Sequence, residues 1–394
     1  MALQPTRERR LFVKVPFYTP YIGQEEIDEV TSAIQSNWLT KGQKTKDFEV
    51  KFAQYVGSKH ALGLNSCTAG LHLAQKVLGI GEGDQVITTP YTFAATVNTI
   101  LHCGAEPVLA DIDPLTMNID PEEIEKAITP KTKAIIPVHF AGFPCEMDMI
   151  MEIARRHNVK VIEDAAHAVY TKYHDRLVGS IGDITCFSFY ATKNLCTGEG
   201  GMITSDDDGI MNELQILSLH GMSKNAWNRY SDKGTWFYEI ESPGYKYNMT
   251  DIQASLGIVQ LGKLEEMQDL RKKIADQYQI SFSKVEQLLV PHDDPKHRHA
   301  WHLYPVRLKG DTLKIGRDEF IEKLKEAGIG TSVHFIPIPI HPYYKKLGYK
   351  ISDYPHTLGA YEGVISLPLF PGMTEKQVEY VIQQVIKLAD QYKN

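Results

Sequence analysis

From about residue 59 the chain alternates short, nearly unbroken apolar runs with stretches whose apolar residues recur at helical spacing. KHALGLN is strand-like, and TAGLHLAQKVLG follows it as a helix that stops at Gly79. DQVITTP leads into TFAATVNTILHCG, EPVLADID into DPEEIEKAI, and KAIIPVHFAG into MDMIMEIARRHN, after which come VKVIEDA and ITCFSFY. Strands alternating with helices predict an α/β fold with a mostly parallel sheet covered on both faces. The continuous apolar character of KAIIPVHF predicts burial on both sides of that strand. After about residue 250 the pattern changes to a long amphipathic helix over roughly 251–279, a strand in AWHLYPVRL, the helix RDEFIEKLKEAG, the strand TSVHF, and a last helix opened by the capping box Thr374-x-x-Gln377. The expected organisation is a large domain over 1–250 and a smaller C-terminal α/β domain over 251–394, on which the N-terminal segment can pack.

Composition narrows the class. A chain of 394 residues, 43% hydrophobic and 23% charged, reads as soluble and globular and excludes disorder, collagen and coiled coil. Its net charge of -7 leaves no basic surplus to neutralise a nucleic-acid backbone, although a local basic patch for a small phosphorylated ligand is compatible with it. Five cysteines, scattered and without a C-x-x-C pair, fit a reducing cytoplasm. The N-terminus MALQPTRERRLFVKVPF has charge but no apolar h-region, which predicts no signal peptide, and no apolar run approaches the length of a membrane span. The expectation is a cytoplasmic protein with neither nucleic-acid nor membrane partners.

In sheets of this kind ligands collect outside the carboxyl ends of the strands. That rule selects positions 65–70, 89–93, 139, 163–167 and 188–193. Lys193 stands out, because FSFYATKNLCTGEGG brings it from a β-like run towards the interior, where an unpartnered ammonium costs several kcal/mol or loses its proton. In VIEDAAHA, Asp164 and His167 sit at a strand end; a helix cap and a satisfied core histidine are the bland alternative, and a carboxylate for a protonated ring nitrogen the functional one. Ser66 and Thr68 open the first helix, either as a plain N-cap or as a phosphate site built on helix N–H groups. G-x-G-x-x-G is missing after this strand, which argues against a nicotinamide enzyme. Phe93 is either core or a platform for a planar ligand. His292, His297, His299 and His302 lack accompanying ligands at metal spacing and precede a strand, so no metal site is expected. Together, a lysine, a carboxylate on the neighbouring strand, a phosphate cradle and an aromatic platform meet the needs of pyridoxal 5'-phosphate.

Over nearly its whole length the chain resembles the DegT/DnrJ/EryC1/StrS sugar-nucleotide aminotransferases, through WLTKGQKTKDFE, SCTAGLHLA, PYTFAATVN, VIEDAAHA, FSFYATKN with GEGG, GYKYNMTDIQAS and GTSVHF in that order. IIPVHFAG, GYKYN and TSVHF are similar to the branch that aminates C4 of UDP-sugars, such as the UDP-4-amino-4-deoxy-L-arabinose synthases. The resemblance implies a type I aminotransferase fold with a seven-stranded sheet. It implies Lys193 as the Schiff-base lysine, Asp164 as the pyridine-nitrogen carboxylate, and His167 at the ring edge. Thr68, Ala69 and Ser188 become phosphate contacts, Phe93 the stacking aromatic, and His334 a residue near the sugar pocket. Asn248 is implied to reach the phosphate of a second subunit, giving a homodimer with shared sites. Cys67 departs from the family pattern, where Gly or Ala is common, and adds bulk beside the phosphate. The implied reaction is a two-stage transfer from L-glutamate to the C4 ketone of a nucleotide-linked keto sugar. C3 amination of a dTDP-3-keto-6-deoxy sugar and a non-catalytic cofactor-binding regulator are the alternatives; the intact Lys193, Asp164 and Phe93 disfavour the regulator.

Overall fold

A computed structural model of the chain describes residues 13–222 and 237–394. The expectation about a signal peptide falls largely on residues 1–12, outside the described residues. Helices α1 (Gln24–Gln35) and α2 (Gln43–Val56) precede β1 (His60–Leu64), α3 (Cys67–Val77), β2 (Gln85–Thr88), α4 (Ala94–His102), β3 (Glu106–Leu109), α5 (Pro121–Ala127), β4 (Thr132–Ile136), α6 (Met147–His157) and β5 (Lys160–Asp164). A small hairpin, β6 (Lys172–Tyr173) and β7 (Arg176–Leu177), leads to β8 (Ile184–Ser188), β9 (Gly201–Ser205) and α7 (Asp208–Leu217). Then come α8 (Asp251–Gly262), α9 (Leu264–Phe282), β10 (Leu288–Leu289), β11 (Tyr304–Leu308), α10 (Arg317–Glu326), α11 (Pro342–Lys346), α12 (Pro355–Gly363), β12 (Val364–Leu367) and α13 (Glu375–Gln391).

The main sheet has seven strands in the order β1-β9-β8-β5-β4-β2-β3. The pairs among β8, β5, β4, β2 and β3 are parallel, while β9 runs antiparallel to both of its neighbours. The cause is the connection. Parallel neighbours need a crossover, whereas β8 and β9 are joined by the loop 189–200 without a helix, so β9 must run back along β8. Side chains alternate between the two faces. Ile135, Val161 and Phe187 pack with Phe48 and Phe52 on one face. Ile136, Ile162, Ile184 and Cys186 pack with Leu71 and Leu214 on the other. Each such fully buried side chain contributes about 2 kcal/mol relative to exposure.

A second sheet, β10-β11-β12, shares a separate core with α9, α10 and α13, including Tyr278, Phe320 and Val381. The N-terminal segment docks onto that part of the chain. Val15 bridges to Ile329 in parallel, and a Cβ on Gly330 would stand 2.6 Å from the Phe17 nitrogen, so only glycine admits the approach.

Two elements differ from the sequence pattern. The long helix is interrupted at Lys263, which ends α8 and begins α9. The two halves serve different cores: Gly257 of α8 meets the Phe48 ring in the first, and Tyr278 and Phe282 of α9 fill the second. Lys263 pins the junction by its ion pairs to Glu25 and Glu26. TSVHF is not a continuous strand, for it bridges only at Ser332 to Ser366. The His334 carbonyl, which a ladder would use, instead accepts the Tyr91 hydroxyl at 2.7 Å.

Candidate active site

The alternation of β5 sends its two terminal carboxylates to opposite faces. Glu163 faces the α2 side and is fully buried. Its oxygens accept the Gly182 N–H, the Thr185 hydroxyl and the His139 ring, the last at 2.9 Å. Because His139 Nδ1 already accepts the Cys145 N–H, Nε2 carries the proton and donates to Glu163. Burial opposes the charge on Glu163, and these donors overcome it, leaving its acidity increased. This pair knits the sheet together away from the cavity.

Asp164 faces α3 and α4 and opens into a cavity of about 570 Å³ between the main sheet and the second core. One carboxylate oxygen accepts the Thr96 hydroxyl at 2.8 Å and the other the Ala166 N–H at 3.1 Å. Thr96 spends its only hydroxyl proton on the carboxylate, so the Thr92 hydroxyl, 2.9 Å away, donates to Thr96. Burial raises the Asp164 pKa, and Thr96, Ala166 and the Lys193 charge partly restrain it. The Cys67 sulfur lies 4.0 Å from the same carboxylate.

Lys193 enters from the loop after β8. A turn closed by its N–H to the Tyr190 carbonyl holds its backbone, and its own carbonyl accepts the Tyr18 hydroxyl at 3.2 Å. Desolvation lowers its amine from 10.5 to about 8, against the pull of Asp164 and Cys67. Among the described residues nothing hydrogen-bonds to its Nζ.

At the start of α3, Ser66 caps the helix by accepting the Ala69 N–H at 3.1 Å. That bond occupies Ala69, and leaves the N–H groups of Cys67 and Thr68 as the open donors of the first turn. Gly201 of β9 passes so close that a Cβ there would be 2.4 Å from the Ser66 carbonyl carbon, which makes glycine obligatory beside the turn. Phe93 precedes α4, is 64% exposed, and lines the cavity with its ring centroid 6.2 Å from that of Phe335. His167 accepts the Ala141 N–H at Nδ1, which leaves a proton on Nε2, and its ring stacks on Phe335 at 5.7 Å. Burial and the Lys193 charge push His334 down to about 4.

The structure therefore gathers Thr68, Phe93, Asp164, His167, Ser188, Lys193 and His334 around one cavity. Ala69 and Asn248 are not on its wall. Asn248 lies beside β1, bridged to Leu64, with its amide nitrogen donating to its own neighbour's carbonyl, that of Met249. Thr92, within the selected 89–93, lines the cavity as well, whereas Thr96 was not selected, although the same strand-end rule carried one helical turn further reaches it. The sequence reading also missed Tyr18 and His302. His302 was weighed only as a metal ligand, yet it lines the cavity with its ring centroid 4.3 Å from that of His167. His299 stacks on Trp301 and His297 on Tyr173 instead.

These residues suit pyridoxal phosphate. A buried carboxylate with two fixed donors, an amine without a hydrogen-bond partner among the described residues, open N–H groups at a helix start and an exposed aromatic ring match its ring nitrogen, aldehyde, phosphate and ring plane. The comparisons agree. The model of the DegT/DnrJ/EryC1/StrS aminotransferase family matches residues 20–386. The chain is 56% identical over 375 residues to the spore coat polysaccharide biosynthesis protein SpsC of Bacillus subtilis (strain 168), covering 94% of this chain and 96% of that one. It superposes on the proposed sugar aminotransferase Spr1654 from Streptococcus pneumoniae in its PMP-form with a TM-score of 0.91 at 36% identity, covering 96% and 99% of the two chains, and on the PLP-form with 0.90 at the same identity and coverage. Helicobacter pylori PseC, an aminotransferase involved in the biosynthesis of pseudoaminic acid, gives 0.90 at 28% identity over 96% of this chain and all of that one.

Proposed function

The chain belongs to the DegT/DnrJ/EryC1/StrS aminotransferase family, and we propose that it moves the amino group of L-glutamate to the C4 ketone of a UDP-linked 4-keto sugar. It is a pyridoxal-phosphate-dependent aminotransferase with the type I fold of its solved neighbours. A sugar acceptor is supported by SpsC, named for polysaccharide synthesis, and by Spr1654. The choice of C4 and UDP rests on the segments IIPVHFAG, GYKYN and TSVHF. The observation that carries the reading is the pairing of a low-pKa lysine with a buried, hydrogen-bonded aspartate in one cavity.

When bound, pyridoxal phosphate supplies an electron sink for the carbanion left after a Cα proton is removed. The chain's own groups do the rest. Asp164 would hold the ring-nitrogen proton that makes the sink effective. The Cys67 and Thr68 N–H groups with Ser188 would hold the phosphate, Phe93 would cover a ring face, and the His167 Nε2–H would donate at the ring edge. Lys193 would hold the cofactor at rest and, once displaced, take the Cα proton of glutamate. With its amine at about 8, roughly a quarter of it is neutral at pH 7.5, against about one part in a thousand at the ordinary value. Desolvation thereby raises the share of the amine that is free base near neutrality. Asn248 would serve the phosphate site of a second copy, making a two-fold dimer the minimum active unit.

The test is a panel of UDP-, dTDP- and GDP-linked keto sugars with glutamate, the amino position being assigned by NMR. A 4-amino UDP-sugar supports the reading. A 3-amino dTDP-sugar overturns its regiochemistry, and glutamate turnover absent throughout would reassign the protein as a cofactor-binding regulator.

A further inference from the structure

The mechanism above leaves one buried imidazole of the cavity without a task. His302 is 6% exposed and reaches the cavity wall from the segment before β11. Its Nδ1 lies 3.0 Å from Asn194 Oδ1. The orientation of that amide is decided by its other end, because Asn194 Nδ2 is 2.7 Å from the Ala300 carbonyl, which can only accept. The amide NH2 must therefore face Ala300 and its oxygen must face His302. An oxygen acceptor requires a donor, so the His302 proton sits on Nδ1 and Nε2 keeps its lone pair. Among the described residues nothing hydrogen-bonds to Nε2, and the atom opens to the cavity rather than being sealed in protein. The neighbouring His167 has the opposite tautomer, with Nδ1 accepting and Nε2–H exposed. The cavity thus presents one imidazole donor and one imidazole acceptor side by side.

We infer that His302 is a substrate-recognition residue whose lone-pair Nε2 accepts a hydroxyl of the acceptor sugar, and that Asn194 is the positioning residue that locks it in this form. The inference rests on the sugar reading given above. Burial, together with the positive charges of Lys193 and Arg271, keeps the ring neutral, since its pKa lies well below the ordinary value. A neutral imidazole with a free lone pair suits a neutral donor such as a hydroxyl. Asn194 adjoins Lys193 in the chain, so the tautomer lock and the reacting amine belong to one loop. A buried acceptor left unpaired penalises any sugar that lacks the matching hydroxyl.

Two measurements test it. Long-range 1H–15N NMR of the holoenzyme labelled at histidine nitrogen reads the tautomer directly. Nδ1–H is expected in the wild type and in Asn194→Asp, with loss of that preference in Asn194→Leu. A wild-type ring protonated on Nε2, or on both nitrogens at pH 7, overturns the inference. Separate single-turnover kinetics of the two half-reactions read the role. His302→Leu should slow the sugar half-reaction by roughly ten- to a hundredfold more than the glutamate half-reaction, the worth of one buried hydrogen bond. His302→Gln, which can return an oxygen acceptor, should recover most of that loss. Equal loss in both half-reactions would assign His302 to Lys193 instead, and no selective loss would remove it from recognition. If wild-type enzyme accepts no sugar of the panel, the function proposal fails by itself, the sugar hydroxyl falls with it, and the NMR result still decides the tautomer.

Discussion

Replacing Thr96 by valine removes one hydroxyl and almost nothing else, since the two side chains share a shape. In the folded protein that hydroxyl is 2.8 Å from Asp164 and is itself held by Thr92. A hydrogen bond to a charged group is worth about 1.5–3 kcal/mol, so its loss should raise the Asp164 pKa further. The sign of the consequence follows from where a shared proton rests. A more basic Asp164 draws the proton off the cofactor's ring nitrogen, weakening the electron sink that the glutamate half-reaction needs. A cost near 2 kcal/mol corresponds to roughly a thirtyfold slower half-reaction. There is also a stability effect. Burial gives Asp164 a folded pKa above its unfolded one, so its contribution is fully present below the unfolded pKa and falls as pH rises towards the folded one. Thr96→Val widens that interval upwards, so the apoprotein should lose stability as pH rises above the unfolded pKa of Asp164 but not below it. The assay is stopped-flow absorbance of the bound cofactor with glutamate, alongside Thr96→Ser, which keeps the hydroxyl and should stay near wild type. A Thr96→Val enzyme within about threefold of wild type at pH 7 would refute the assignment, for a loss that small is below one hydrogen bond to a charge.

Asp164→Asn should bind cofactor but slow the same half-reaction about a thousandfold, because a contact charge pair at an effective dielectric near 20 is worth about 4 kcal/mol; an unchanged rate takes Asp164 out of the site. Lys193→Ala should fold and bind pyridoxal phosphate without a covalent bond and without turnover, and residual turnover near wild type would point to another lysine. Capture of the aldehyde by apoprotein should accelerate with pH and level off above about 8, where the Lys193 amine is neutral; a midpoint near that of a solvated lysine contradicts the desolvation account. Mixing Lys193→Ala with Asn248→Trp should restore activity to a fraction of sites if Asn248 acts across the dimer, whereas no recovery after proven subunit exchange would confine Asn248 to structure.

Much of the cavity was legible in the chain because strand-end chemistry is local. An apolar run must end somewhere, and the polar residues that follow it lie at the ligand edge wherever the strand pairs, so Asp164, His167, Ser188 and Lys193 could be named from spacing. Phe93 and Thr68 followed from the helix starts that succeed β2 and β1. The mixed direction of the sheet was not legible in the same way: β9 was not among the strands read from the pattern, and its antiparallel course depends on a loop that lacks a crossover.

Local pattern therefore sufficed for most strands and helices of the large sheet, their alternating faces and the chemical types at the strand ends, because these depend on periodicity within a few residues. Other features depend on which distant segments pack together, and only the folded molecule decided them. Tyr18 meets Lys193 across 175 positions through the docking of the N-terminal segment. The break at Lys263 exists because one helix must serve two cores. The form of His302 is decided by Asn194, 108 positions away, through an amide that the Ala300 carbonyl orients. Hydrogen-bond direction and proton position are properties of the closed network, and no stretch of sequence contains that network before the chain has folded around it.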